Sequence, residues 1–325
     1  MLFSELILTS KCSQRCLQCN IPQKEVVSSE IDYNDFQIII DRLYAYGTHG
    51  IVLSGGEPTM HPNFFDILQH TIEKKFTYVH ILSNLFIPKS KAEKLADKIC
   101  QYNIGLTTSF DGLGSVADRI RGGKNVEKIT FRNMNIIIET GKKYNCRPKI
   151  SANIVISQIN LHQIPEIIDR LNELDLMINI DLYRNSSVNH NQVDEMVITD
   201  YNALSKALNY AVDASGVVTP KWLLDGYIPF LENKFNKQCP YLMNTALGSK
   251  FFIQPNGEIR VCIGESIGNI LQDTPDKIFA SKTWRKKRDE FITCTGCWNT
   301  CYTPSARLSN YLNFTEIKNI VKIIR

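Results

Sequence analysis

The chain has 325 residues, 43% of them hydrophobic, with a formal net charge of +4. That length buries a large core, and no apolar run of about 18 residues or signal-like N-terminus marks a membrane-spanning or secreted protein. Lys and Arg are scattered without a dense basic block, so nucleic acid and membrane surfaces are not expected partners and a cytoplasmic protein is the expectation.

Apolar runs predict strands at residues 4–10, 51–54, 78–82, 104–109, 149–157 and 178–183. Helical periodicity follows at 35–47, 64–75, 90–102, 126–144 and 164–174, with Gly47 as a stop signal. Strands of nearly continuous hydrophobicity alternating with helices indicate a parallel α/β sheet, whose chemistry collects at the C-terminal ends of the strands. After about residue 215 the pattern changes. A PNGE turn at 255–258 joins SKFFIQ and IRVC as a predicted hairpin, and LSNYLNFTEIKNIVKIIR reads as a final amphipathic helix.

Ten cysteines without a secretion signal point to metal rather than disulfides. Eight fall in two clusters; Cys100 and Cys146 stand apart, near helix ends, where burial as small hydrophobes is expected. Directly after the first strand come Cys12, Cys16 and Cys19. Thiolates spaced this way can wrap one compact centre, and iron–sulfur clusters are the common cargo held by cysteine alone. Three protein ligands would leave one iron of a cubane open. The alternative is a zinc knuckle that borrows a fourth ligand such as His49, His61 or His80.

One strand later, Gly55, Gly56, Glu57 and Pro58 end the second strand. The glycines let backbone approach a ligand, Glu57 can accept from an ammonium group, and Pro58 fixes the turn. A plain turn is the alternative for GGEP alone.

Together, Cys12-x3-Cys16-x2-Cys19 and GGEP resemble the radical S-adenosylmethionine (SAM) superfamily. The resemblance covers the whole chain. It implies an α/β fold: a partial (β/α)6 TIM-like barrel over residues 1–225 and a small α+β SPASM/twitch cluster domain with a C-terminal helix over 226–325. Cys12, Cys16 and Cys19 would hold a [4Fe-4S] cluster whose open iron binds SAM, and Gly55, Gly56 and Glu57 would engage the methionyl amine. Ser109 and Arg121, twelve positions later, match the pair that meets the SAM carboxylate, a task suited to the planar guanidinium. Ser83 and Asn84 are ribose contacts or turn formers, and Asp111 faces substrate or supports a turn. Gln18 stands where many members carry an aromatic residue near the adenine.

In the C-terminal part, Cys239, Gly257-x4-Cys262, Cys294-x2-Cys297, Cys301 and SIGNI at 266–270 resemble the SPASM/twitch framework. Five cysteines are too few for a two-cluster domain. The resemblance implies one auxiliary [4Fe-4S] cluster on Cys239, Cys262, Cys294 and Cys297; a zinc ribbon is the alternative. Cys301 is left over from that set or replaces one of its ligands, and it is the candidate catalytic hydrogen donor if the outcome is epimerisation.

The implied activity is reductive cleavage of SAM to a 5′-deoxyadenosyl radical that abstracts hydrogen from a polar substrate. Oxidation, dehydrogenation or epimerisation in a biosynthetic or peptide-maturation pathway would follow. The substrate is expected to be a small polar molecule or a peptide, and the electron donor flavodoxin or ferredoxin. The absence of a leader-gripping module before the first strand weighs against a leader-dependent peptide. The segment at 182–195, with Tyr183, Arg184, Asn185 and His190, suits a polar substrate or is an ordinary surface loop. Two other readings stand beside this one: a ribosomal-peptide maturase forming a crosslink or epimer, and a non-catalytic iron–sulfur or zinc scaffold.

Overall fold

The computed structural model describes residues 3–21, 30–185, 191–234, 250–261, 266–290 and 298. Its centre is six parallel strands: β1 Phe3–Ile7, β2 Gly50–Ser54, β3 Tyr78–Leu82, β4 Gly105–Ser109, β5 Ile150–Ile156 and β6 Met177–Leu182. Each agrees with an expected strand to within a few residues. The connecting helices are α1 Tyr33–Ala45, α2 Phe64–Glu73, α3 Lys89–Tyr102, α4 Gly114–Arg121, α5 Val126–Lys143 and α6 Ile164–Asn172.

Helix α1 shows why these segments fold as they do. The Asp32 carboxylate accepts from the amides of Asn34 (2.8 Å) and Asp35 (3.4 Å), capping the free N–H groups of the first turn. Phe36, Ile39, Ile40 and Leu43 recur at helical spacing and are buried against the sheet. Gly47 then takes a φ of +80°, a left-handed turn that ends the helix. Helix α4 was not expected. It starts at a glycine without a side-chain cap, so its sequence carries no start signal.

The two faces of the sheet differ in chemistry. Ile51, Leu53, Ile81, Leu106, Ile154, Ile178 and Ile180 are buried in the core shared with the helices. The alternate residues on β4 to β6, including Thr107, Ser109, Ser151, Asn153 and Asn179, make the lumen face polar, unlike the apolar continuity expected. The lumen floor is aromatic: Tyr78 stacks on His80 at 5.4 Å and meets Phe3 edge-on at 5.7 Å. A Cβ at Gly105 would strike the His80 ring, so glycine there makes the space the imidazole fills.

The expected hairpin forms as β7 Lys250–Ile253 and β8 Glu258–Val261, with β9 Ser266–Asn269 beyond it. Gly257, at φ +81°, supplies the turn. Strand β7 pairs in parallel with β1, so the hairpin continues the barrel sheet through the expected boundary at 225/226. Among the described residues the order is β6-β5-β4-β3-β2-β1-β7-β8-β9. At the other end the β6 edge is covered: Ile178 donates to the Gly216 carbonyl (2.8 Å), and the Val218 amide donates to Ile178 (2.9 Å). This protects backbone groups that would otherwise template another strand. Among the described residues no helix is long and apolar enough to cross a membrane. The final amphipathic stretch at 308–325 lies outside them.

Candidate active site

The cysteine loop leaves β1 and is clamped from three directions. Towards β2, Leu8 donates to the Ser54 carbonyl, Gly56 to Thr9 and Glu57 to Lys11, each at 2.8 Å. A Cβ on Gly55 would strike the Thr9 carbonyl and one on Gly56 the Lys11 carbonyl, so the glycines also let two backbones touch. From α4, the Ile120 carbonyl accepts from Leu17 (2.9 Å) and the Arg121 carbonyl from Arg15 (3.2 Å), with Gly122 at φ +63° allowing the approach. From the segment after β6, the Asn191 carboxamide donates to the carbonyls of Leu17 (3.0 Å) and Cys19 (3.1 Å).

The clamped loop presents Cys12, Cys16 and Cys19 to one cavity of about 240 Å3, whose lining also includes Gly55, Gly56, Ser83, Asn84, Ser109 and Arg121. Nine expected site residues, drawn from the first four βα units, thus meet there. Burial raises all three thiols, Cys12 to about 11, while the Arg121 guanidinium pulls back on Cys16 and Cys19. Asn84 Nδ2 donates to the Cys12 sulfur at 3.4 Å, as does the Gln14 amide at 3.4 Å.

Glu57 is placed differently from its expected ligand contact. Its fully buried carboxylate is outside the cavity lining and accepts from four donors: the Thr59 amide (3.2 Å), the Thr59 hydroxyl (2.7 Å), the Ser83 hydroxyl (2.9 Å) and the Asn84 amide (2.8 Å). It ties the end of β2 to the end of β3. Burial raises its pKa in spite of those donors.

Arg121 is paired at 2.8 Å with Asp111, whose side chain is wholly buried. Asp111 also accepts from the Val155 amide (2.8 Å) and Gln18 Nε2 (3.4 Å), so it holds the arginine in place rather than opening to a substrate. Burial alone would lower the Arg121 pKa, but the negative charge available on Cys16 and Asp111 outweighs it and raises the value. The Arg121 Nε is buried without a hydrogen-bond partner among the described residues.

The segment after β6 is structural where it is described. The Tyr183 hydroxyl donates to the Asn191 carbonyl (2.8 Å) and accepts from the Val193 amide (2.9 Å), and Asn185 contacts Tyr183 and Asp194. His190 and Cys239, Cys262, Cys294, Cys297 and Cys301 lie outside the described residues. Cys100 is buried as expected, whereas Cys146 is exposed. Among the histidines proposed for zinc, His61 contacts the Ile31 carbonyl (2.9 Å) and His80 contacts Tyr78 and Thr107 (both 2.7 Å), and His49 is exposed.

Sequence reasoning missed Gln14, Thr107 and Asn153 in the cavity lining and Asn191 as the latch of the cysteine loop. The polar alternation on β5 was a signal for Asn153. For Asn191 none existed, because its contacts cross more than 170 residues of chain.

Residues 6–171 match the family model described as the radical SAM superfamily. The chain belongs to the radical SAM superfamily. It is 28% identical over 167 residues to the Fe-coproporphyrin III synthase of Methanosarcina barkeri, covering 51% of this chain and 40% of that protein. It is 23% identical to the antilisterial bacteriocin subtilosin biosynthesis protein AlbA of Bacillus subtilis, over 98% of this chain and 72% of AlbA. The fold is similar to that of Streptococcus suis SuiB bound to the precursor peptide SuiA, with a TM-score of 0.68, 19% identity, and 88% and 66% of the two chains covered.

The family implies a [4Fe-4S] cluster and SAM, and the site fits both. Three cysteines line one cavity, yet among the described residues no three His, Cys, Asp or Glu side chains converge on a single metal ion. That spread suits a cubane, whose separate irons each take one thiolate, better than a mononuclear zinc site. The unpartnered Nε of Arg121, in a side chain lining the same cavity, suits an anionic ligand such as a carboxylate.

Proposed function

We propose that this enzyme uses SAM to generate a 5′-deoxyadenosyl radical and removes a hydrogen atom from a carbon of a peptide substrate. The observation that carries the reading is the shared cavity, where one buried and two half-buried thiols face Ser83, Asn84, Ser109 and Arg121. Support for a peptide comes from the subtilosin biosynthesis relative and from the precursor peptide bound to SuiB.

Cys12, Cys16 and Cys19 would hold the cluster, leaving one iron for the methionyl end of SAM. When bound and reduced, the cluster supplies the electron that splits SAM. Gly55 and Gly56 line the amine end, and Glu57 acts through the Ser83 and Asn84 groups it anchors. Ser83 and Asn84 meet the ribose. Arg121, fixed by Asp111, binds the carboxylate with Ser109, and its largely buried charge offsets the anion.

For the later steps, Cys239, Cys262, Cys294 and Cys297 are the proposed ligands of an auxiliary [4Fe-4S] cluster in a SPASM/twitch region. Such a cluster would accept an electron in an oxidation or crosslink. Cys301 is the proposed hydrogen donor if the outcome is epimerisation. A cytoplasmic flavodoxin or ferredoxin would supply electrons.

The test is 5′-deoxyadenosine formation by anaerobically reconstituted protein with SAM and dithionite, beside a variant carrying Cys12→Ala, Cys16→Ala and Cys19→Ala. Product from the wild type alone supports the reading. Product from neither, at full iron and sulfide loading, overturns it.

A further inference from the structure

Ser109, Asn153 and Asn179 stand side by side on β4, β5 and β6. Ser109 is in register with Asn153, and Asn153 with Asn179. Registered residues of neighbouring parallel strands project to the same side of a sheet. Ser109 and Asn153 line the cavity, so Asn179 shares their lumen face and extends the row past the cavity wall. The flanking Ile178 and Ile180 are buried on the helix side, which fixes the same orientation independently.

This row is distinguished by what it lacks: none of its three side chains hydrogen-bonds to a described residue. One level down, the Thr107 and Ser151 hydroxyls bond each other at 2.8 Å, and Thr107 also bonds His80. One level up, Asp111 is occupied by Arg121 and the Val155 amide, and Asp181 Oδ1 accepts from the Leu182 amide at 2.9 Å. A row of neutral, half-buried donors and acceptors between satisfied levels is available to a guest. Ser109 serves the SAM carboxylate beside Arg121 in the reading above, and the remaining pair, Asn153 and Asn179, carries no formal charge, so an ionic guest is not favoured there. A carboxamide offers one carbonyl acceptor and an NH2 donor, the complement of a peptide C=O and N–H.

We propose that Asn179, with Asn153 beside it, hydrogen-bonds a backbone amide of the peptide substrate and so positions the carbon that loses hydrogen. The proposal rests on the radical reading above and adds to it the group that is recognised. Asn179 is a substrate-positioning contact and takes no part in SAM cleavage.

The probe is a proteolytic digest of uniformly deuterated algal protein, given with SAM and dithionite to the reconstituted holoenzyme. The readout is the fraction of 5′-deoxyadenosine carrying deuterium, a ratio insensitive to how much active enzyme each preparation contains. The wild type is expected to yield deuterated product. That fraction should fall at least tenfold in Asn179→Ala and Asn179→Leu and recover in part in Asn179→Gln. Equal fractions in the wild type and the variants overturn the proposal. So does a wild-type fraction unchanged by the digest, or one raised only by a deuterated algal sugar hydrolysate. Absence of 5′-deoxyadenosine from the wild type under every condition overturns instead the radical reading beneath it.

Discussion

Glu57 sits just beyond the glycine pair with both carboxylate oxygens facing donors: three on Oε1 and the Asn84 amide on Oε2. A glutamine there must aim an NH2 at one of those N–H or O–H groups, leaving a buried donor unmatched. We therefore expect Glu57→Gln to cost about 1–3 kcal/mol in urea unfolding. Burial raises the folded pKa of Glu57 above its ordinary 4.5, so its contribution is fullest in acid and declines as pH rises from there through the folded value. The stability gap between wild type and variant should narrow from pH 5 to pH 8; a widening gap would refute this account. The motif that contains Glu57 was legible in the sequence, but the use of its side chain was not. Which partner a buried carboxylate meets depends on how the ends of β2 and β3 come together. Gly55 and Gly56 carry the same lesson, since the close approach they permit includes the chain itself at Thr9 and Lys11.

Six strands and five helices were readable because period and length mark them locally: Ile and Val runs bounded by Gly, Asn or Pro, and the i, i+3, i+4, i+7 stripe of α1. Helix α4 escaped because its weight lies at its end, where Arg121 faces the cavity and Gly122 turns against Arg15. Asn191 escaped for a related reason: its partners, Leu17 and Cys19, are remote in sequence. Removing its two hydrogen bonds through Asn191→Ala should loosen the third-cysteine end of the loop by about 1–3 kcal/mol. Chelator-driven iron release from the reconstituted protein should then be at least about fivefold faster. Release at the wild-type rate would mean that the strand and α4 contacts hold the loop without the latch.

The sheet reaches from β6 to β9, and its least local junction is β1 with β7, joining Phe3–Leu6 to Lys250–Ile253. The hairpin was legible from PNGE, but its docking on β1 was not, because nothing in a short strand names a partner some 250 residues away. The junction binds the fold together: Phe251 and Ile253 are buried, and Phe251 packs against Phe279 at 4.7 Å and Trp284 at 6.0 Å. A chain ending at residue 234 would leave β1 as an open edge in the middle of the fold, a template for association. It should elute as aggregate in size-exclusion chromatography, whereas a monomer melting like the full chain would make β7 to β9 dispensable. The clamp on the cysteine loop has a converse meaning for energetics. In small zinc domains the metal organises the chain, and its binding energy is consumed in folding. Here Ser54, Thr9, Lys11, Ile120, Arg121 and Asn191 hold the loop through hydrogen bonds made by the chain itself. Because the chain's own contacts share the cost of ordering the loop, a larger part of the metal–thiolate free energy is expressed as affinity than in a small zinc domain.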